Sequence, residues 1–117
     1  MVTNASSGGV TFVDTFICDS LTCTTPGAYL FFKYSETGEE FEVNASGGLH
    51  LEGDATDYVY LRRYLGTDPD QWDIYPVGGS WIINYVDVKD SINSHPTYIN
   101  PSNSLDSGNN YNWFTQQ

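Results

Sequence analysis

The stretch Tyr58-Val59-Tyr60-Leu61-Arg62-Arg63-Tyr64-Leu65 constrains the fold more than any other part of this chain. Successive side chains of a strand point to opposite faces, so apolar residues recurring at every second position read as a strand. One face carries Val59, Leu61, Arg63 and Leu65. The other carries Tyr58, Tyr60, Arg62 and Tyr64, three phenols and a guanidinium that can bury surface and still hydrogen-bond. A face of that composition suits recognition of a protein or a sugar better than it suits chemistry.

The same grammar recurs along the chain. Val10–Cys18, Ala28–Tyr34, Glu39–Val43, Leu49–Glu52, Trp72–Tyr75 and Ser80–Val88 read as strands set apart by Gly, Pro, Asn and Asp. In Leu49–Glu52 the leucines point inward and His50 and Glu52 outward. Glu36-Thr37-Gly38 reads as the turn of a hairpin between Ala28–Tyr34 and Glu39–Val43. No segment longer than about eight residues shows helical periodicity. In 117 residues, 15% aromatic with 11 glycines, the balance favours strands and turns. The expected fold is one all-β antiparallel domain, a small sandwich, jelly roll or barrel. Residues 10–88 form that domain, 1–9 an N-terminal arm and 89–117 an extension. Its expected core holds Phe12, Phe16, Leu30, Phe32, Phe41, Leu61, Trp72 and Trp81.

Two segments resemble each other, Asn4-Ala-Ser-Ser-Gly-Gly-Val-Thr-Phe and Asn44-Ala-Ser-Gly-Gly-Leu-His-Leu. Each is a polar turn, a glycine pair and an alternating strand, a likeness too short to make a duplicated half-domain.

Fifteen acids face four bases, for a formal charge of −11. A phosphate backbone is held by clustered Lys and Arg, and only Arg62 and Arg63 are adjacent, so nucleic acid is not an expected partner. Solubility accounts for the charge as well as a basic partner surface does. No apolar run approaches the roughly 18 residues of a membrane-spanning helix. The opening Met-Val-Thr-Asn-Ala-Ser has neither the basic nor the apolar region of a signal peptide.

Cys18 and Cys23 are the only cysteines, without the nearby Cys or His that zinc takes. They read as core thiols or as a local disulfide. Asp68-Pro69-Asp70-Gln71-Trp72-Asp73 places acids like a calcium loop but lacks its glycine and its distal glutamate, so it reads as an acidic turn. Glu40, Glu42 and Glu52 are outward strand acids, and His50 and His95 stand outside any triad pattern. No catalytic residue, cofactor or metal is expected.

Seven aromatics crowd residues 58–85: Tyr58, Tyr60, Tyr64, Trp72, Tyr75, Trp81 and Tyr85. Tyrosine hydroxyls need partners, so one small core cannot take them all, and the remainder is expected as a contact surface. Ser91–Asn112 is rich in Asn, Ser, Pro and Gly, and the segment from Ser91 to Gln117 has too little apolar surface to offset the entropy of ordering it. It is expected to lie across a neighbour, with Trp113 and Phe114 as anchors.

Partner-binding residues are therefore expected at Tyr58, Tyr60, Arg62, Tyr64, Trp113 and Phe114. The composition and texture point to a non-enzymatic structural protein that docks on a larger symmetric assembly. A phage virion component such as a capsid decoration protein is the expected example, self-associating as a trimer before a dimer. The alternative is an extracellular carbohydrate-binding β-sandwich using the Tyr/Trp cluster.

Overall fold

A computed structural model describes residues 2–4, 9–13, 17–34, 41–76 and 80–114, with 2–4 and 41–47 as backbone path alone. The strands are β1 (Val2–Asn4), β2 (Val10–Phe12), β3 (Ile17–Cys23), β4 (Tyr29–Lys33), β5 (Phe41–Glu52) and β6 (Val59–Tyr64). They continue as β7 (Trp72–Pro76), β8 (Ser80–Asn84), β9 (Val86–Val88), β10 (Ser91–Asn93) and β11 (Leu105–Asp106). Among the described residues there is no helix, and so none long and apolar enough to cross a membrane.

All nine strand pairings among these residues are parallel. One sheet runs β1-β3-β5-β7-β10, with β8 also on β5; the other runs β11-β9-β6-β4-β2. Except from β7 to β8, the chain alternates between the sheets, and each return lays a strand beside the one placed a circuit earlier. This is a parallel β-solenoid. Its first sheet is bent, because β5 pairs with β7 through Phe41–Val43 and with β8 through Gly48–Glu52. Each full circuit therefore has three faces: a first ending in β7 and β10, a second ending in β8, and a third formed by the other sheet.

The parallel pairing overturns the antiparallel sandwich, jelly roll or barrel expected from the sequence. Period-two alternation is common to both kinds of sheet, so it cannot separate them. What separates them is the connection, and here paired residues stand between 18 positions apart (Asp87 and Leu105) and 33 (Phe41 and Ile74). The expected hairpin does not form, since β4 pairs with β2 and β6 while β5 pairs with β3. Its turn at 36–38 lies outside the described residues, as do 14–16 of the strand expected over Val10–Cys18. The strand expected over Ser80–Val88 breaks at Tyr85, whose φ is 53°. Asp90, at φ 58°, makes the next corner. A left-handed residue turns the chain sharply, at about 1–2 kcal/mol for a residue with a Cβ.

Inside, like positions of successive circuits stack. Leu30 lies beside Leu61 and Leu61 beside Val88; Cys23 lies beside Leu51 and Leu51 beside Ile83. All six are buried. An aromatic column links the circuits, with ring centroids 5.2 Å apart for Phe12–Phe32, 4.2 Å for Phe32–Trp72 and 5.9 Å for Trp72–Trp113. Of the expected core, Leu30, Phe32, Leu61 and Trp72 are buried, while Phe12 and Trp81 are half-buried against it. Phe16 and the Phe41 side chain lie outside what is described. Trp72 donates its indole N–H to Lys89 O at 3.1 Å and Trp113 donates to Ser91 Oγ at 2.8 Å. The buried Trp81 Nε1 has no hydrogen-bond partner among the described residues.

The segment after residue 88 continues the solenoid. β10 pairs with β7, β11 with β9, and single bridges join Asn84 to Ser102 and Ile92 to Tyr111. Asparagine side chains supplement the short ladders, since an amide carries the same donor and acceptor as a peptide unit. Asn110 donates to Val88 O at 2.8 Å and accepts from Ser91 N at 3.0 Å. Asn93 donates to Thr97 O at 2.9 Å and to Asn112 O at 3.1 Å. The expectation that Trp113 inserts into a neighbour is corrected here. Trp113 is fully buried in its own core, and Phe114 is half-buried against it.

The two resembling segments occupy different points of the circuit. Asn4 ends β1, whereas Asn44 lies within β5 where one face passes to the next.

Candidate docking face

The third face presents the aromatic residues outward. Val59 and Leu61 of β6 are buried, and Tyr58, Tyr60, Arg62 and Tyr64, which alternate with them, are half-buried. Parallel register places Tyr60 beside Tyr29 of β4 on one side and Asp87 of β9 on the other. Arg62 lies beside Phe31, and Tyr64 beside Lys33.

Register then dictates the packing. The Tyr29 and Tyr60 rings stack at 4.4 Å between centroids, inclined by 13°, and Tyr29 runs alongside Phe31 at 5.8 Å. Tyr58 meets Tyr60 edge-on at 6.4 Å and Tyr85 at 6.3 Å. The Arg62 guanidinium sits 5.4 Å from the Tyr60 centroid, within cation–π range. The ring faces are thus spent on each other and on Arg62.

The polar groups are fixed as well. Tyr60 donates its O–H to Asp57 Oδ1 at 2.6 Å, which pushes the phenol pKa up to about 12, with burial a smaller contributor. Arg62 Nη2 lies 3.1 Å from Asp87 Oδ1, while its Nη1 donates to Asp87 O at 2.6 Å and Leu61 O at 3.1 Å. Ser107 also donates to the Asp87 carboxylate. Asp54 caps the preceding loop, accepting from Thr56 and from Asp57 N; these bonds hold its carboxyl below the usual range.

Arg63 does something that its position in the pattern did not foretell. Its register partner is Phe32, yet its guanidinium turns to the corner that follows. It donates to Leu65 O at 2.8 Å, Asp70 O at 2.8 Å and Asp68 Oδ1 at 3.2 Å. Its side chain is only 15% exposed. Leu65, expected inward, is exposed with φ 61°. The Asp-rich turn at 68–73 is the only sequence signal for the role of Arg63, because a half-buried cation needs such partners. Within that turn, Asp70 accepts from Thr67 N and Asp73 from Ser94, so its acids point apart. No cluster of three potential metal ligands occurs among the described residues.

The structure brings Tyr58, Tyr60, Arg62 and Tyr64 onto one surface and leaves Trp113 and Phe114 apart from it. It adds Tyr29, Phe31 and Tyr85, which the sequence could not join to β6 without the register. Cys18 and Cys23 are both free thiols, and burial pushes the Cys18 thiol pKa up. No family model, curated protein or solved structure matches this chain.

Proposed function

We propose that this chain is a non-enzymatic structural element that docks through its third face onto a larger symmetric assembly, in the manner of a virion decoration protein. The observation that carries the reading is the packing of the Tyr29–Tyr60–Arg62 face. Rings stacked along the solenoid turn their edges, hydroxyls and a guanidinium outward on a rigid ladder. Tyr and Arg are enriched at binding hot spots, and held in place they lose little further entropy on contact. The carbohydrate reading draws less support at this face, since a sugar ring packs on the open face of an aromatic ring. Association would follow closed symmetry, a trimer before a dimer.

The test replaces Tyr29 and Tyr60 together by Ala and measures particle mass in solution beside the β circular-dichroism signal. The expected result is a loss of assembly with the β signal retained. Unchanged particle mass removes this face from consideration. A monomeric wild-type protein that binds a glycan array overturns the docking role altogether.

A further inference from the structure

The second face is incomplete in the last circuit. On the first and third faces that circuit supplies β10 and β11, whereas on the second it supplies only Ser102, bridged to Asn84. Ser102 N donates to Ile83 O, and Ser102 O accepts from Tyr85 N, both at 3.0 Å. In a parallel ladder the next residue to bond in this way would stand opposite Ile82, and by spacing that residue is Asn100. Asn100 leaves the ladder instead. Its φ is 50°, its N–H donates to Trp113 O at 2.6 Å, and Pro101 follows with no N–H to give.

The C=O of Trp81 and the N–H of Ile83 consequently point away from β5 with no strand beside them among the described residues. A depression of about 460 Å³ opens there, lined by Trp81, Ile82, Ile83, Ile99, Asn100 and Glu52 among others. Ile82, at the centre of the gap, is 50% exposed. Natural proteins blunt free edges with charge, proline or a bulge. Ser80-Trp81-Ile82 carries none of these.

We propose that this gap is a strand-addition site, which takes an extended peptide segment of a partner, parallel to β8. One peptide residue stands opposite Ile82, donating its N–H to Trp81 O and accepting from Ile83 N through its C=O. Its side chain shares the outer face with Ile82, so a β-branched apolar residue fits. The Glu52 carboxylate at the rim and the chain's net charge of −11 favour lysine or arginine beside it. A backbone matches this site better than a sugar does, because the free groups are one donor and one acceptor at strand spacing. The site lies on a different face from the tyrosine surface and stands or falls independently of it.

The test follows amide hydrogen exchange of Ile83 by NMR, with and without the acetylated, amidated hexapeptide Lys-Val-Thr-Val-Thr-Lys at millimolar concentration. Without peptide, the Ile83 amide is expected to exchange far faster than that of Ile82, which faces β5. With peptide, exchange at Ile83 should slow by at least about tenfold, equivalent to about 1.4 kcal/mol. Ile82→Lys, an exposed change checked by circular dichroism, should abolish the slowing. A protected Ile83 amide in the free protein, no slowing with peptide, or equal slowing in the variant overturns the proposal. So does protection by a soluble glycan mixture where the peptide gives none.

Discussion

The circuits through β9 and the final one, from Lys89 to Phe114, are held by different forces. In the earlier circuits, leucine, valine and isoleucine rows stack on strands of up to 12 residues. In the last, no strand exceeds three residues, and the side chains of Asn93, Asn109 and Asn110 bond to the backbone of neighbouring segments. Apolar burial tolerates small displacements, whereas a hydrogen bond is lost within an ångström or so. Loss of one amide in the final circuit should therefore be felt there and leave the earlier circuits closed. Trp72 joins the two regimes, stacked on Phe32 below and against Trp113 above.

That contrast can be broken most forcefully at the joint. Trp72→Ala removes a fully buried indole, its bond to Lys89 O and the support of Trp113, and should cost about 3–5 kcal/mol. Urea denaturation checks the size. A loss near 1 kcal/mol would show that the aromatic column does not couple the regions.

A smaller effect separates the regimes directly. Asn110→Ala leaves Ser91 N without its side-chain acceptor and takes one of two donors from Val88 O, which keeps Ser107 N, and should cost about 1–3 kcal/mol. Hydrogen exchange should quicken at residues 91–112 while Leu51 and Leu61 keep their protection. Uniform quickening through the whole chain would mean that the last circuit is not a separable unit.

The smallest effect concerns the third face and appears only in alkali. Tyr60 is raised from an ordinary value of 10.0 to about 12 by its bond to Asp57. The proton is held more tightly in the folded state, so the bond's contribution is complete below pH 10. It is lost as pH rises through about 12. Tyrosinate absorbance should show a late-titrating phenol at Tyr60, moved back toward the ordinary value by Asp57→Ala. A tyrosine titration identical in the two proteins would detach Asp57 from the face.

Much of the local pattern was legible in the sequence. Val59 and Leu61 face inward and Tyr58, Tyr60 and Arg62 outward as alternation requires, and Leu49 and Leu51 are buried beneath outward His50 and Glu52. Pairing was not legible, because the side-chain period of two is identical whether a strand's neighbour is a hairpin away or a circuit away. Circuits of unequal length hid the repeat that would have revealed the solenoid. The asparagine-rich end misled for a related reason. Its apolar content was read correctly as small, but ordering came from amides bonding to the chain's own backbone and from Trp113 folding inward.

Parallel pairing at separations of 18 to 33 positions also sets how this chain reaches its native state. No strand pair among the described residues closes locally, so the first contacts carry a loop-closure cost that a hairpin protein avoids. Folding in milliseconds to seconds is the expectation for such a contact pattern. The acceptor for Asn110 is Val88 O and the support of Trp113 is Trp72, and neither is placed until β7 and β9 are laid down. The chain is thus a template for itself, read in the direction in which a ribosome delivers it. Its last and most polar circuit can be added only to a finished surface.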